Sequence, residues 1–330
     1  MNNGHRPFTL AQRSTSNFFW MAEHLLKSRR FDPLFGEAKK RHHERLLAHL
    51  EKREPGRIVD VRRVPDLTIR RFRKDFHHPG VPVIFAGAAK DWSCRRWTPE
   101  FFAENYGDEL CSITDYGDDQ PMRLADVVAL NKERKLRASH FSRVVHNHKE
   151  LMDELDTKHL SDLCGPLSHK TSYQFFIGPP DVQTHLHAGG TNNFHVQLYG
   201  EKTWWIVDIR FNPVIRPKIT GAPLLASSFD PRQADDRHPT DRYIDVYRAK
   251  LFPGDMLFIP SFYWHHVSYD TESVATGFRW VTARDVARAF MMYAIMATAT
   301  NPPFFEYYLD IVRGKLKPFY GSRRSDQLVR

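Results

Sequence analysis

Between Thr184 and Val207 the chain reads THLHAGGTNNFHVQLYGEKTWWIV, which interleaves His185, His187, His195, Asn192, Asn193 and Lys202 with apolar residues. A second stretch from Pro253 to Val267, PGDMLFIPSFYWHHV, brings His265 and His266 after an aromatic run. Imidazole nitrogens bind divalent iron, zinc or nickel well. In an extended segment alternate side chains share a face. His185 and His187 therefore point one way with Leu186 opposite. Asn193, His195 and Gln197 likewise share a polar face, while Phe194, Val196 and Leu198 form an apolar one. Two histidine-bearing strands this far apart in sequence are what a barrel needs to close a metal between opposite walls. A polar inner face also needs a ligand or water, because buried polar groups without partners are costly. Lys202, just past a turn at Gly200-Glu201, could set a cation inside the same mouth and hold a carboxylate.

The elements that must position these residues follow from the patterning. Phe18–Leu26 and Ala38–Arg53 read as helices, the second with an apolar stripe at Leu46, Leu47 and Leu50. His42 and His43 suit a solvated helix face better than a metal site. Ile58–Val64 reads as a strand, Thr68–Phe76 as a short helix, and the segment from Pro82 as a compact apolar strand ending at Gly87. Thr98 is a helix N-cap with Pro99 in the first helical position and Glu100 at the positive helix end. Leu110–Tyr116 is expected to be a strand, and Leu124–Leu130 and Lys149–Leu163 helices. From Ser172 onward strands dominate: Tyr173–Ile177, Asn193–Leu198, Lys202–Val207 after a tight hairpin, Ile244–Leu251, Met256–Ile259 and Val274–Trp280. Residues 210–243 are loop-rich, and Ala283–Ala299 closes the domain as a helix. Strands joined by short turns point to a barrel or sandwich. Trp204, Trp205 and Trp264 read as core or pocket wall rather than substrate stackers.

With 330 residues, 41% hydrophobic and 13% aromatic, the chain suits a packed globule rather than a disordered one. The net charge of +9 admits an acidic partner, but no nucleic-acid motif accompanies it, and nucleic acid is not expected. The three widely spaced cysteines, Cys94, Cys111 and Cys164, match neither a thiolate zinc site nor a disulfide scaffold. A cytoplasmic setting is the expectation, since the first 16 residues lack the apolar core of a signal peptide. No apolar run approaches the roughly 20 residues of a membrane span. The apolar helix at 283–299 could form a homodimer, although core packing explains its face equally well.

Taken together, these segments resemble the JmjC and cupin-like family, over roughly Ile58 to Trp280. The lead-in is VPVIFAGAAKDW from Val81 to Trp92, then Trp97 and Tyr106-Gly107-Asp108. The core is His187, Asn193, Gln197, Gly200 and Lys202, and the second histidine motif is Pro253-Gly254-Asp255, Ile259-Pro260 and Trp264-His265. The resemblance implies an α+β protein with a mainly β core, a double-stranded β-helix of the jelly-roll or cupin kind. It divides the chain into an N-terminal helical extension (1–57), a barrel domain with helical insertions (58–280) and a C-terminal helical segment (281–330). It implies Fe(II) and 2-oxoglutarate as cofactors, an oxygenase of the hydroxylase type, and a protein, peptide or other polar substrate. His187 and His265 would be metal ligands. Lys202 would pair with the distal carboxylate of 2-oxoglutarate, helped by Thr184, Asn193 and Tyr173.

One position departs from the family pattern. The carboxylate ligand is expected two residues after the first histidine, where this chain has Gly189. His185 could join as a third imidazole, and His195 is a weaker candidate for the same role. Water or a halide could take the vacant position, as in a halogenase-like variant. Alternatively the barrel could be a catalytically silent binding module.

Overall fold

A computed structural model of the chain describes residues 7–65, 68–111, 121–133, 139–219, 224–233 and 237–299. In chain order the strands are β1 (Ile58–Asp60), β2 (Arg63–Val64), β3 (Val83–Phe85), β4 (Leu110–Cys111), β5 (Met122–Arg123), β6 (Ser139–His140), β7 (His169–Gly178), β8 (His187–Gly189), β9 (Asn192–Tyr199), β10 (Lys202–Val207), β11 (Pro217–Ile219), β12 (Leu224–Ser227), β13 (Val246–Leu251), β14 (Met256–Ile259), β15 (Trp264–Tyr269) and β16 (Ser273–Val281). The α-helices are α1 (Leu10–Leu50), α2 (Ile69–Phe72), α3 (Pro99–Tyr106), α4 (Leu124–Lys132), α5 (Ser142–Asn147), α6 (Lys149–Asp153), α7 (Thr157–Cys164), α8 (Ala283–Arg288) and α9 (Phe290–Ala299).

Two seven-stranded sheets form the body. One runs β1-β13-β10-β15-β8-β12-β11, the other β2-β3-β14-β9-β16-β7-β6. Every pairing within them is antiparallel except β1 with β13 and β2 with β3. Ile84, Leu257 and Ile259 from one sheet meet Trp204, Ala249, Leu251 and Val267 from the other in a shared apolar cluster. The sheets thus face each other across a filled interior, giving the mainly β jelly-roll core with α-helices outside it.

Each outer face carries its own cluster. Behind the second sheet, Phe194, Val196, Leu198, Phe278 and Trp280 pack with residues of α2 to α7 such as Phe72, Phe102 and Leu160. Behind the first, Leu186, Ala188, Val207 and Trp264 pack with Trp20, Leu46 and Leu50 of α1 and with Ile295 and Met296 of α9. The N- and C-terminal helices therefore buttress the strands that carry His187 and His265.

Helix α1 spans both segments expected to be helical, and it folds back on itself. Ser16 Oγ lies 2.9 Å from His42 Nε2, 26 residues later, whereas 26 residues of straight helix extend about 39 Å. Phe19 and Phe31 already face each other at 6.5 Å, so the reversal lies between them. The result is a helical hairpin rather than one rod.

Several boundaries differ from the sequence expectation. The segment at 58–64 splits into β1 and β2, which join different sheets. The closing helix is broken at Ala289, whose backbone leaves the helical region between α8 and α9. Of the expected strand Leu110–Tyr116, Leu110–Cys111 forms β4, and the remainder lies outside the described residues. Thr98 caps α3 as expected, accepting from Phe101 N–H at 3.1 Å. Gly200 turns the β9–β10 hairpin at φ 70°; a Cβ there would strike Glu272 O.

Candidate functional site

β8 and β15 lie side by side with His187 and His265 in register. Their rings stand 4.2 Å apart between centroids, edge to face. With metal–nitrogen bonds of about 2.1 Å, two imidazoles on one ion at right to tetrahedral angles have ring centres roughly 4.5–5.3 Å apart, a spacing slightly wider than the one here. Both rings are held the same way. His187 Nδ1 lies 2.8 Å from His185 O, and His265 Nδ1 lies 3.0 Å from Tyr263 O. A carbonyl only accepts, so each Nδ1 carries its proton, and in a neutral ring Nε2 then keeps its lone pair. Burial, and then His187 beside it, hold His265 well below the usual histidine pKa, so it stays neutral. This is the tautomer that a metal-binding histidine requires.

The backbone that carries these ligands is tied down. Phe262, with φ 59°, donates its N–H to Gly189 O at 2.8 Å. Its ring meets Tyr293 edge-on at 4.7 Å, and the Tyr293 hydroxyl donates to Gly190 O. Left-handed backbone at a bulky residue costs about 1–3 kcal/mol and persists where its surroundings over-determine it. Here α9 and β8 do so. Further along, Asp255 of the Pro253-Gly254-Asp255 turn accepts from both Arg63 Nη2 and the N–H groups of Gly87 and Phe252.

The interior beside the histidine pair is polar where the alternation placed it. Asn193, His195 and Gln197 are all buried and face inward, opposite Arg279, Gly277 and Ala275 of β16. His195 lies 4.6 Å from Trp204, which lies 5.5 Å from His265. Lys202 is only 1% exposed. Its Nζ sits 4.0 Å from the Tyr269 ring centre and 5.8 Å from that of Phe176, and among the described residues no carboxylate pairs with it. Burial brings its pKa down to about 7.

Trp204 Nε1, Asn193 Oδ1, Gln197 Oε1 and both ring nitrogens of His195 are buried with no hydrogen-bond partner among the described residues. Gln197 stands beside His195 without a hydrogen bond of regular geometry joining them. Such groups each cost about 1–3 kcal/mol when left unpaired, so the cluster fits a polar ligand that supplies the partners. An unpaired buried ammonium next to them specifies an anion.

The remaining expected site residues fall differently. Thr184 lies against β15, where its Oγ1 accepts from Val267 N–H at 2.9 Å, leaving its hydroxyl proton available to donate. His185 precedes β8 and is exposed. Among the described residues no three His, Cys, Asp or Glu side chains are grouped to hold a metal, so the structure does not bring His185 or His195 into a three-imidazole site. Tyr173 is not brought to the interior. It shares the outer face of β7 with Phe175, against whose ring it stacks at 5.4 Å, and it meets Phe278 at 5.0 Å. Alternation gives the inward face of β7 to Gln174 and Phe176 instead.

Residues 160–285 match the model of the cupin-like domain. That span holds both histidines, Gly189, Lys202 and Arg279. This part of the chain is similar to a cupin-like domain. Three curated relatives are similar over a longer stretch. The bifunctional arginine demethylase and lysyl-hydroxylase psr-1 of Caenorhabditis elegans is 24% identical over 64% of this chain and 58% of its own length. Lysine-specific demethylase JMJ30 of Arabidopsis thaliana is 23% identical over 68% of this chain and 56% of its own. Lysine-specific demethylase 8 of Xenopus tropicalis is 21% identical over 64% and 51%. The chain spans little more than half the length of these relatives.

One residue of the cupin-like barrel escaped the sequence reading. Arg279 lies on β16, a strand of otherwise small or apolar residues, SVATGFRWV. It shares the inward face with Ala275 and Gly277. Its Nε donates to Gln174 Oε1 at 2.5 Å, and its Nη1 lies 3.8 Å from where a Cβ on Gly189 would stand. The signal was present: a lone arginine two residues from a glycine on the inward face of a core strand.

Proposed function

We propose that the protein is an Fe(II)- and 2-oxoglutarate-dependent oxygenase of the hydroxylase or demethylase kind, acting on a protein or peptide. The observation that carries this reading is the pair His187 and His265, in register on neighbouring strands with ring centres 4.2 Å apart and each Nδ1 within hydrogen-bond distance of a backbone carbonyl, in a barrel that also buries Lys202. The relatives support the substrate class, since their names describe action on lysyl or arginyl residues.

Two imidazole lone pairs fit a divalent ion, and the third protein position would be left to water or an anion because Gly189 has no side chain. Iron with 2-oxoglutarate, when bound, supplies the oxidation of a substrate C–H bond by dioxygen. The chain's own residues hold and shield. Lys202 pairs with the distal carboxylate as an ammonium donor, with the Thr184 hydroxyl and the Asn193 amide as further partners. Trp204, Tyr269 and Phe176 wall off water around that carboxylate.

The test is 2-oxoglutarate turnover. Purified protein given Fe(II), ascorbate and 2-oxoglutarate is expected to form succinate slowly alone and faster with lysine- or arginine-containing peptides. Absence of both succinate formation and 2-oxoglutarate binding in the metal-loaded protein rejects the proposal. Gly189 favours a second reading, a catalytically silent or halogenase-like barrel. It gains ground if 2-oxoglutarate binds but no succinate forms without added halide.

A further inference from the structure

Asp285 lies in the first turn of α8 and is fully buried. A capping box needs it only to meet Thr282, but here the carboxylate gathers more. Its Oδ2 accepts from Thr282 N–H at 2.9 Å, from the Thr282 hydroxyl at 2.7 Å and from Asn192 Nδ2 at 2.7 Å. Its Oδ1 accepts from Arg288 Nη2 at 3.1 Å. Although burial opposes ionisation, hydrogen bonds from His77 and Thr282 hold the carboxyl below its usual range. Asn192, buried as well, passes the connection on, since its Oδ1 accepts from Ser261 N–H at 3.0 Å. The sense of this amide is fixed, because a carboxylate only accepts and a backbone N–H only donates.

Ser261 stands in the turn that leads from β14 into β15. Phe262 follows with its left-handed backbone and gives its N–H to Gly189 O. Tyr263 comes next, and its carbonyl holds His265 Nδ1. The consecutive N–H groups of 261 and 262 are thus tied to the two sides of the β8–β9 corner, at Asn192 and Gly189. Arg288 backs the same turn, with Nη2 3.3 Å from Ser261 Oγ. A phenylalanine stays at positive φ only where its surroundings over-determine it. Without the Asn192 amide, the buried Ser261 N–H loses its partner, Phe262 is free to relax, and the Tyr263 carbonyl no longer fixes the His265 ring. We propose that Asn192 and Asp285 are positioning residues of the histidine pair, setting through Ser261 the turn that orients His265 against His187. That these imidazoles hold a metal rests on the reading above, whereas their orientation by Asn192 and Asp285 does not.

Two readouts on the full chain test this. In the metal-free protein, long-range nitrogen–proton NMR spectra report which ring nitrogen of His265 carries the proton. In the wild type this is expected to be Nδ1 alone. In N192L, which keeps the volume but not the tie, both tautomers are expected to appear. Manganese(II) titration is expected to show N192L binding about 10- to 100-fold more weakly than wild type, the usual loss when a group that orients a ligand is removed. T282A, which takes away only the capping hydroxyl, is expected to lower the unfolding temperature and leave both readouts at wild-type values. A folded N192L with the wild-type ring spectrum or wild-type manganese affinity overturns the proposal, as does a T282A protein that loses as much affinity as N192L. If the wild type binds no divalent metal, the reading above fails and the ring spectra alone decide the inference. Should N192L not fold, N192S, too short to reach Ser261, takes its place with the same outcomes. In the wild type itself, Ser261 amide hydrogen exchange as fast as that of an exposed loop also overturns the proposal.

Discussion

Restoring the missing carboxylate is the sharpest perturbation available. In Gly189→Asp the new Cβ would have Arg279 Nη1 at 3.8 Å as its only neighbour within 4 Å among the described residues, so the backbone leaves room for a Cβ. In the same step the side chain acquires a cation within reach. A hydrogen bond between charged groups contributes about 1.5–3 kcal/mol, or roughly 10- to 150-fold in an equilibrium constant. The aspartate must give up that pairing to ligate a metal. The single variant is therefore expected to gain little metal affinity over wild type. The double variant Gly189→Asp, Arg279→Gln should bind manganese(II) or cobalt(II) at least about tenfold more tightly than the single one. Competition against a chelating dye measures both constants, and a third titration of Arg279→Gln alone completes the cycle. If Gly189→Asp by itself binds metal as tightly as the double variant, the guanidinium does not occupy the ligand position and the reasoning here is refuted.

Other outcomes follow from the same geometry. His187→Ala and His265→Ala should each lower metal affinity by more than the roughly 10- to 100-fold that loss of a supporting residue costs, while His185→Ala, at an exposed position, should leave it unchanged in the same titrations. Burial brings the pKa of Lys202 in the folded chain down to about 7 from the ordinary lysine value of 10.5, so between those values the unfolded chain binds more protons. Stability of the ligand-free protein should thus rise with pH across that window, by an amount of the order of a few kcal/mol, and K202M should flatten the rise in denaturant titrations. Dicarboxylate affinity in chelator should run the other way, falling as pH climbs through about 7 and Lys202 loses its proton. Tyr173→Phe removes a buried hydroxyl that has no hydrogen-bond partner among the described residues. Its expected effects are unchanged dicarboxylate binding and stability equal to wild type or higher by about 1–2 kcal/mol, with a loss of binding placing Tyr173 in the site after all.

Much of the fold was legible because alternation is a local signal. The inward set Asn193, His195, Gln197 and the outward set Phe194, Val196, Leu198 could be assigned from the sequence, and the outward set packs into the apolar cluster behind the second sheet while the inward set is buried apart from it. The hairpin at Gly200 was legible for a similar reason, since a left-handed turn selects glycine. What could not be read were relations set by three dimensions. The face that Tyr173 takes can be read only if the strand's phase is known, and Phe175 and Ile177, which alternate with it, fix that phase outward. His185 shares parity with His187, yet β8 begins only at His187, so the alternation that would aim both inward does not extend to it. The reversal of α1 leaves no periodicity mark, because each arm is helical on its own.

Gly189 and Arg279 are separated by a long stretch of chain and by the gap between the two sheets, and neither is informative alone. A glycine where a ligand is expected reads as loss, and an arginine in a core strand reads as an oddity. Set 3.8 Å apart, they form one electrostatic unit in which the negative ligand is absent and a positive group takes up the space it would face. A pocket altered at only one of these positions would be poorly balanced. With the carboxylate present and Arg279 retained, the two would neutralise each other. With both absent, Lys202 would be the sole charge for an incoming dicarboxylate. With glycine at 189 and Arg279 Nη1 facing it, any negative charge set at that position would have to arrive with a bound ligand.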